Sequence, residues 1–263
     1  MAPPEPVVVL TVADRIAEIR FNRPKALNAV NVESAIAFRD SVATACADLS
    51  VRVIVLAGNG RAFMAGGDLG YLRDAGEQAP AAAEQLIEPI HAAVAQLAAA
   101  GQPVLASVHG PVAGAGMSLA LCADLAIAAD DAVFNLAYVK IGNSPDCSAT
   151  WTLPRLVGLR KALEIALLAD NIGAAEALRL GLVNRVVPAA QLIERTREVA
   201  LRLAASSPAA LKSTKWLMRH GLLSTLPQQL AAEAAAFTSN AGSADFREAL
   251  DAFFAKRPPV FRG

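Results

Sequence analysis

Pro103-Val104-Leu105-Ala106-Ser107-Val108-His109-Gly110 is a short apolar run closed by a glycine, and it leads through Gly114-Ala115-Gly116 into a helix-like stretch, Met117–Ala123. An apolar run of this length bounded by turn residues reads as a buried strand. The same succession occurs upstream. Val51–Ala57 is apolar and β-branched, ends in Gly58-Asn59-Gly60, and leads to the loop Ala62-Phe63-Met64-Ala65-Gly66-Gly67-Asp68-Leu69. Downstream, Leu125–Ala128 supplies another buried strand and Val133-Phe134 begins one more. Strands alternating with helices, with glycine-rich loops after the strands, imply an α/β fold built on a parallel or mixed sheet.

Toward the N-terminus, Val7–Val12 is an apolar run and Arg15–Phe21 alternates with the period of a strand, which makes Ala13-Asp14 a hairpin turn. Asn31 is a suitable N-cap for a helix from Val32 to about Leu49. From Arg160 onward the strand signals fade. Arg160–Asp170, Ala174–Leu180, Gln191–Ala205, Pro208–His220, Gln228–Ser239 and Ala244–Ala255 read as helices, with an extended piece at Leu182–Val187. The expected layout is an α/β core over residues 1–200 and a helical region over 201–263 that packs on its own core or on a neighbouring subunit. Leu72–Pro80 carries little pattern.

The 263 residues are 54% hydrophobic but only 5% aromatic, so the interior must be built mainly from Ala, Val, Leu and Ile. Lys plus Arg (24) balances Asp plus Glu (24), which removes the basic footprint of a nucleic-acid binder. The three cysteines, Cys46, Cys122 and Cys147, are odd in number and form no CxxC pair. That argues against a disulfide framework or a structural zinc site, and no metal is expected. The first residues lack the pattern of a secretory signal, and charges interrupt every apolar stretch before a membrane span accumulates. A soluble, cytoplasmic protein is expected.

Each of the two glycine-rich loops follows an expected strand and opens an expected helix. Amide N–H groups at a helix start have no intrahelical partner and lie at the positive end of the dipole, so they bind anions or polarise a carbonyl oxygen. Two such loops converging on one oxygen would form an oxyanion hole. In the plainer reading the glycines serve tight turns and Asp68 caps a helix. A dinucleotide fingerprint fails because Leu119 stands where a third glycine is needed. His91 and His220 on helices, His109 at a strand end, and Cys122 and Cys147 all read as ordinary structural residues.

Asn22-Arg23-Pro24 with Ala26-Leu27-Asn28, Ala65-Gly66-Gly67-Asp68, His109-Gly110 through Gly114-Ala115-Gly116, Cys122-Ala123-Asp124, Leu153-Pro154-Arg155-Leu156-Val157-Gly158 and Ala175–Val183 together resemble the enoyl-CoA hydratase/isomerase (crotonase) superfamily over nearly the whole chain. The resemblance implies a spiral of ββα repeats, a C-terminal helical region that helps build a homotrimer or dimer of trimers, and an acyl-CoA thioester as substrate. It also implies no cofactor beyond the CoA moiety itself. By the same resemblance the oxyanion donors would be the N–H groups of Gly67 and Ala115. Lys25, Ala26 and Leu27 would line the CoA nucleotide, and Ala65, Gly66 and Leu69 its pantetheine arm and adenine. Lys256 would reach a CoA phosphate, in its own or a neighbouring subunit.

A hydratase of this family delivers water with two glutamates, and the positions that align with them are Ser118 and Tyr138. Neither residue makes a good water-activating base at neutral pH. Asp146, in Ile141-Gly142-Asn143-Ser144-Pro145-Asp146-Cys147, remains. This segment resembles that of ring-1,2-epoxyphenylacetyl-CoA isomerases and related Δ3,Δ2-enoyl-CoA isomerases, where an aspartate shuttles a proton. The expected activity is therefore an enoyl-CoA isomerase with Asp146 as single acid/base. Asp146 could instead be a helix N-cap. Alternative activities are hydration of a 2-enoyl-CoA, hydrolysis of a haloaryl-CoA through a nucleophilic aspartate, and acyl-CoA binding without turnover.

Overall fold

In a computed structural model that describes residues 5–263, the N-terminal half alternates strands and helices: β1 (Val8–Ala13), β2 (Ile16–Phe21), α1 (Val32–Ala47), β3 (Val53–Gly58), α2 (Leu69–Asp74), α3 (Ala79–Ala99), β4 (Val104–Val108), β5 (Pro111–Ala113), α4 (Ala115–Cys122), β6 (Leu125–Ala129) and β7 (Val133–Asn135). Helices then dominate, as α5 (Ala149–Val157), α6 (Leu159–Leu168), α7 (Ala174–Leu180), α8 (Leu192–Ala204), α9 (Pro208–His220), α10 (Leu226–Ala241) and α11 (Ala244–Phe254), with short strands β8 (Ile172–Gly173) and β9 (Arg185–Val187) between them.

Two sheets share these strands. The larger has the order β1-β2-β3-β4-β6-β9, antiparallel at β1–β2 and parallel thereafter. The smaller has the order β5-β7-β8, with β5 and β7 parallel and β7 and β8 antiparallel. Successive strand pairs are split between them: β4 and β6 enter the large sheet while β5 and β7, a few residues later, enter the small one. Met64, after β3, joins the small sheet through a parallel bridge to Val112. This is the ββα spiral that the sequence resemblance implied.

The chain passes from β4 to β5 through His109-Gly110. Gly110 has φ +53, and a Cβ there would lie 2.1 Å from the Arg61 carbonyl oxygen, so only glycine fits. The core between the large sheet and α1 and α3 uses the few aromatics together: the Phe21 ring lies 5.0 Å from Phe38 and 6.1 Å from Phe63. Asn31 caps α1, its side chain accepting from Ser34 N while Ser34 Oγ accepts from Asn31 N. Such a cap contributes about 1 kcal/mol. On the opposite face of the sheet, Leu192, Ala200 and Ala204 of α8 pack with Val53, Val55 and Leu105.

Residue 200, where the sequence reading ended the core, lies inside α8. That helix packs on the sheet, so the C-terminal helical region begins with α9 at Pro208. A buried charge cluster docks α9: Lys215 and Arg219 pair with Asp124 at 2.8 and 2.7 Å, and Lys215 Nζ also donates to Leu97 O and Gln102 O. Several large apolar side chains beyond it are open to solvent in the single chain, including Met218, Phe237, Phe253 and Phe254. Among the described residues, no helix is long and apolar enough to cross a membrane. Three features depart from the sequence reading. The small sheet was not anticipated beyond Val133-Phe134, and α3 was foreseen only as a helix under His91. Tyr138, expected on a strand, sits on a 3₁₀ turn over Ala137–Ile141.

Candidate active site

Strand register, and not any side chain, aims the first amide. Gly67 forms a parallel bridge with Val30: Val30 N–H donates to Gly66 O at 2.8 Å, and Asp68 N–H donates to Val30 O at 2.8 Å. In a strand, neighbouring amides point to opposite sides. The N–H of Gly67 therefore faces away from Val30, and it donates no hydrogen bond among the described residues. A Cβ at Gly67 would meet nothing within 4 Å, so the space before this amide is open.

The second amide belongs to Ala115, the first residue of α4, and it too donates no hydrogen bond among the described residues. Gly114 before it has φ 51 and ψ −123, a conformation open essentially to glycine alone. The loops are held against each other. Met64 N–H donates to Pro111 O, and Ala113 N–H donates to Met64 O at 2.9 Å. A Cβ at Gly116 would lie 2.2 Å from Met64 O, and one at Gly66 would lie 3.8 Å from Ala115 N. The glycines thus do more than make turns: they let two free amides from separate segments approach one space. Such a pair can stabilise negative charge on a carbonyl oxygen.

A third segment lies alongside. Ala65 N–H donates to Leu27 O at 3.0 Å, which sets Lys25, Ala26 and Leu27 beside Ala65 and Gly66. Asn28, buried and at φ 57, locks this segment: its amide nitrogen donates to Asn59 O, Ala62 O and Phe63 O, and its Oδ1 accepts from Arg23 N. Lys25 and Leu69 are exposed at the rim. Asp68 caps α2 by accepting from Tyr71 N and pairs with Arg23 at 3.1 Å, as the plainer reading expected. Lys256, after α11, shares no hydrogen bond or ion pair with either loop among the described residues, so a single chain does not bring it to this group.

Ser118, Tyr138 and Asp146, far apart in sequence, form one chain of contacts. Ser118 lies one turn into α4, its side chain tilted back toward the helix start that carries Ala115. Its Oγ is 3.1 Å from Tyr138 Oη and 3.2 Å from Gly114 O. The Tyr138 hydroxyl donates to Asp146 Oδ1 in a short hydrogen bond. Burial, and after it the neighbouring Asp146 carboxylate, push the Tyr138 phenol well above its ordinary pKa, so it keeps its proton. The N-cap reading of Asp146 does not hold. The cap position of α5 is Ser148, α5 has no side-chain cap, and Ala149 N–H bonds to the main-chain oxygen of Asp146.

His91, read from sequence as ordinary, belongs to this group. Its Nε2 accepts from Cys147 N–H at 3.1 Å, across 56 positions of sequence. That contact supports two successive left-handed residues, Cys147 (φ 51) and Ser148 (φ 72), which turn the chain just past Asp146. No local pattern signals it. His91, Asp146 and Cys147 offer nitrogen, oxygen and sulfur atoms within 4.8 Å of one another, the one group among the described residues with metal-ligand spacing. Its donor chemistry is poor for a cation. The Cys147 amide already occupies Nε2, and burial pushes the Cys147 thiol well above its usual pKa, so it resists forming the thiolate a metal needs. The deepest groove of the single chain, about 1360 Å³, lies elsewhere, between α5 and α9, with Trp151 and Met218 in its wall.

Comparison with known proteins was made against this geometry. The family model described as enoyl-CoA hydratase/isomerase matches residues 11–263. Over 254 residues the chain is 41% identical to a protein of Rhodobacter capsulatus described as a probable enoyl-CoA hydratase, covering 96% of each chain. It is 35% identical over 253 residues to the 1,2-epoxyphenylacetyl-CoA isomerase of Escherichia coli, covering 94% of this chain and 95% of that one. Among solved structures, an enoyl-CoA hydratase from Polaromonas superposes with a TM-score of 0.92 at 34% identity, covering 97% of this chain and 99% of the other.

Proposed function

The chain belongs to the enoyl-CoA hydratase/isomerase family, and from that premise we propose that it is an isomerase that moves a double bond in the acyl chain of an enoyl-CoA thioester. One observation carries this reading. Of the positions that align with the water-delivering glutamates, one is serine and one is tyrosine, and the hydrogen-bonded chain they form ends on a single carboxylate, Asp146.

The thioester carbonyl oxygen sits between the amides of Gly67 and Ala115. Negative charge grows on that oxygen as a proton leaves the acyl chain, so fixed dipoles aimed there favour the enolate over the ground state. Asp146 takes the proton from one carbon of the allylic system and returns it to another. One base serves both halves of the transfer, and nothing beyond the CoA moiety of the substrate is required. Lys25, Ala26, Leu27, Ala65, Gly66 and Leu69 flank the CoA. Lys256 reaches a CoA phosphate only from a neighbouring subunit in this scheme. The exposed Phe237, Phe253 and Phe254 supply apolar surface for a homotrimer or dimer of trimers. Free Cys46, Cys122 and Cys147 suit a reducing, cytoplasmic setting.

The test is Asp146→Asn assayed with a 3-enoyl-CoA. A positioned acid/base contributes about 10²–10⁴-fold, and turnover is expected to fall by that much. Near-wild-type turnover would overturn the reading. Hydration is the second reading, favoured by the 41% identical relative described as a probable hydratase. It predicts water addition to crotonyl-CoA at a rate matching or exceeding double-bond migration, and both are measurable side by side.

A further inference from the structure

Ser118 and Tyr138 take no acid or base part in the scheme above, yet both are buried and both are bonded in the direction of Asp146. We propose that Tyr138 is a positioning residue that clamps Oδ1 of Asp146, with Ser118 clamping Tyr138 in turn, so that Oδ2 is the oxygen that takes and returns the proton. The consequence for turnover rests on the isomerase reading. The clamp itself rests on geometry.

A tyrosine hydroxyl has one proton to donate. Tyr138 directs it to the carboxylate, so its contact with Ser118 has the serine O–H as donor and Tyr138 Oη as acceptor. Both hydroxyls thereby point their positive ends along one line toward Asp146. Because Ser118 is fixed on α4, the same helix whose first amide is that of Ala115, the clamp ties the carboxylate to the element that carries the second oxyanion donor. The carboxylate and the carbonyl oxygen it works beside are then held by one rigid body. Pre-set distances of this kind matter because small misplacements of a reacting group cost large factors in rate.

The other groups facing Asp146 are few. His91 approaches from α3 and is held by Cys147 N–H. Cys147 lies next in the chain, with Cys122 of α4 near enough to influence it. A thiol is a weak donor and makes a poor anchor for a carboxylate. Tyr138 is thus the strong hydrogen-bond donor at this acid. A hydrogen bond donated to the charged form of an acid favours that form. Asp146 must be charged to accept a proton, so kcat/KM rises with pH through its titration. Removing the Tyr138 hydroxyl makes the charged form harder to reach and moves that rise to higher pH.

The experiment compares the pH profile of 3-enoyl-CoA isomerisation for wild type and Tyr138→Phe, which keeps the ring and loses only the oxygen. The acid limb of kcat/KM is expected to move up by about one pH unit, with kcat falling and KM little changed. Ser118→Ala is expected to move it in the same direction by less. If Tyr138→Phe does not fold, Ser118→Ala decides alone. A limb that stays in place in whichever variants fold overturns the clamp. Titration of Asp146 in carboxyl-13C-labelled protein reads the same contact without substrate: its midpoint should rise in Tyr138→Phe, and an unchanged midpoint overturns the proposal. Full turnover in Asp146→Asn would sink the isomerase reading while leaving that titration as a sound test of the clamp.

Discussion

Gly67 and Ala115 offer main-chain amides whose direction follows from strand register and a helix start, whereas Ser118, Tyr138 and Asp146 offer side-chain atoms that a single codon can change. The first group is fixed by what the fold must do anyway: bridge Val30 to Gly67, bridge Met64 to Val112, and begin α4. The second group depends on residues drawn from α4, a 3₁₀ turn and an irregular loop. The difference teaches that one half of the site grips an oxygen whatever the reaction, and the other half selects the reaction.

The sharpest way to break this comparison is Ala115→Pro. Proline is tolerated at the first position of a helix, and it deletes the N–H and nothing else. Gly114 before it occupies the mirror image of the extended region that residues preceding proline favour. The loss of one oxyanion donor is expected to lower kcat by about 10²–10³-fold with little change in thermal stability. An Ala115→Pro variant with wild-type kcat would mean that this amide does not hold the oxygen. The side-chain half is sharpened by the pair Ser118→Glu and Tyr138→Glu. Placing two carboxylates there should raise crotonyl-CoA hydration by about tenfold or more while double-bond migration falls, because a positioned acid and base can then deliver water. Hydration that fails to rise in a folded double variant would show that these positions do not select the reaction. The smallest effect belongs to the rim. Lys25 is exposed, and charge pairs in water contribute about 0.2–1 kcal/mol. Lys25→Ala should therefore raise KM for an acyl-CoA by no more than about fivefold and leave kcat unchanged.

The large sheet was legible because its strands are continuous apolar runs flanked by glycine, the pattern of strands buried on both faces. The small sheet was not, because β5, β7 and β8 span two or three residues each and leave no periodicity to read. α3 was obscured by alanines and by Pro89 in its interior, which reads as a break although the helix passes through it. At the site, both amides and Asp146 were legible from the glycine spacing and the family resemblance. His91 was not. Its link to Cys147 joins positions 56 apart, and such a contact exists only once α3 has packed over the loop.

The contact of Gly116 with Met64 reaches beyond the choice of glycine. With the α4 backbone pressed on that carbonyl, the gap between the oxygen-gripping amides cannot widen unless the helix slides off its neighbour. A bulky acyl group must then find its room outward, past the open space at Gly67, and differences in substrate size among chains of this architecture should be written in the outer loops while the grip keeps a constant span.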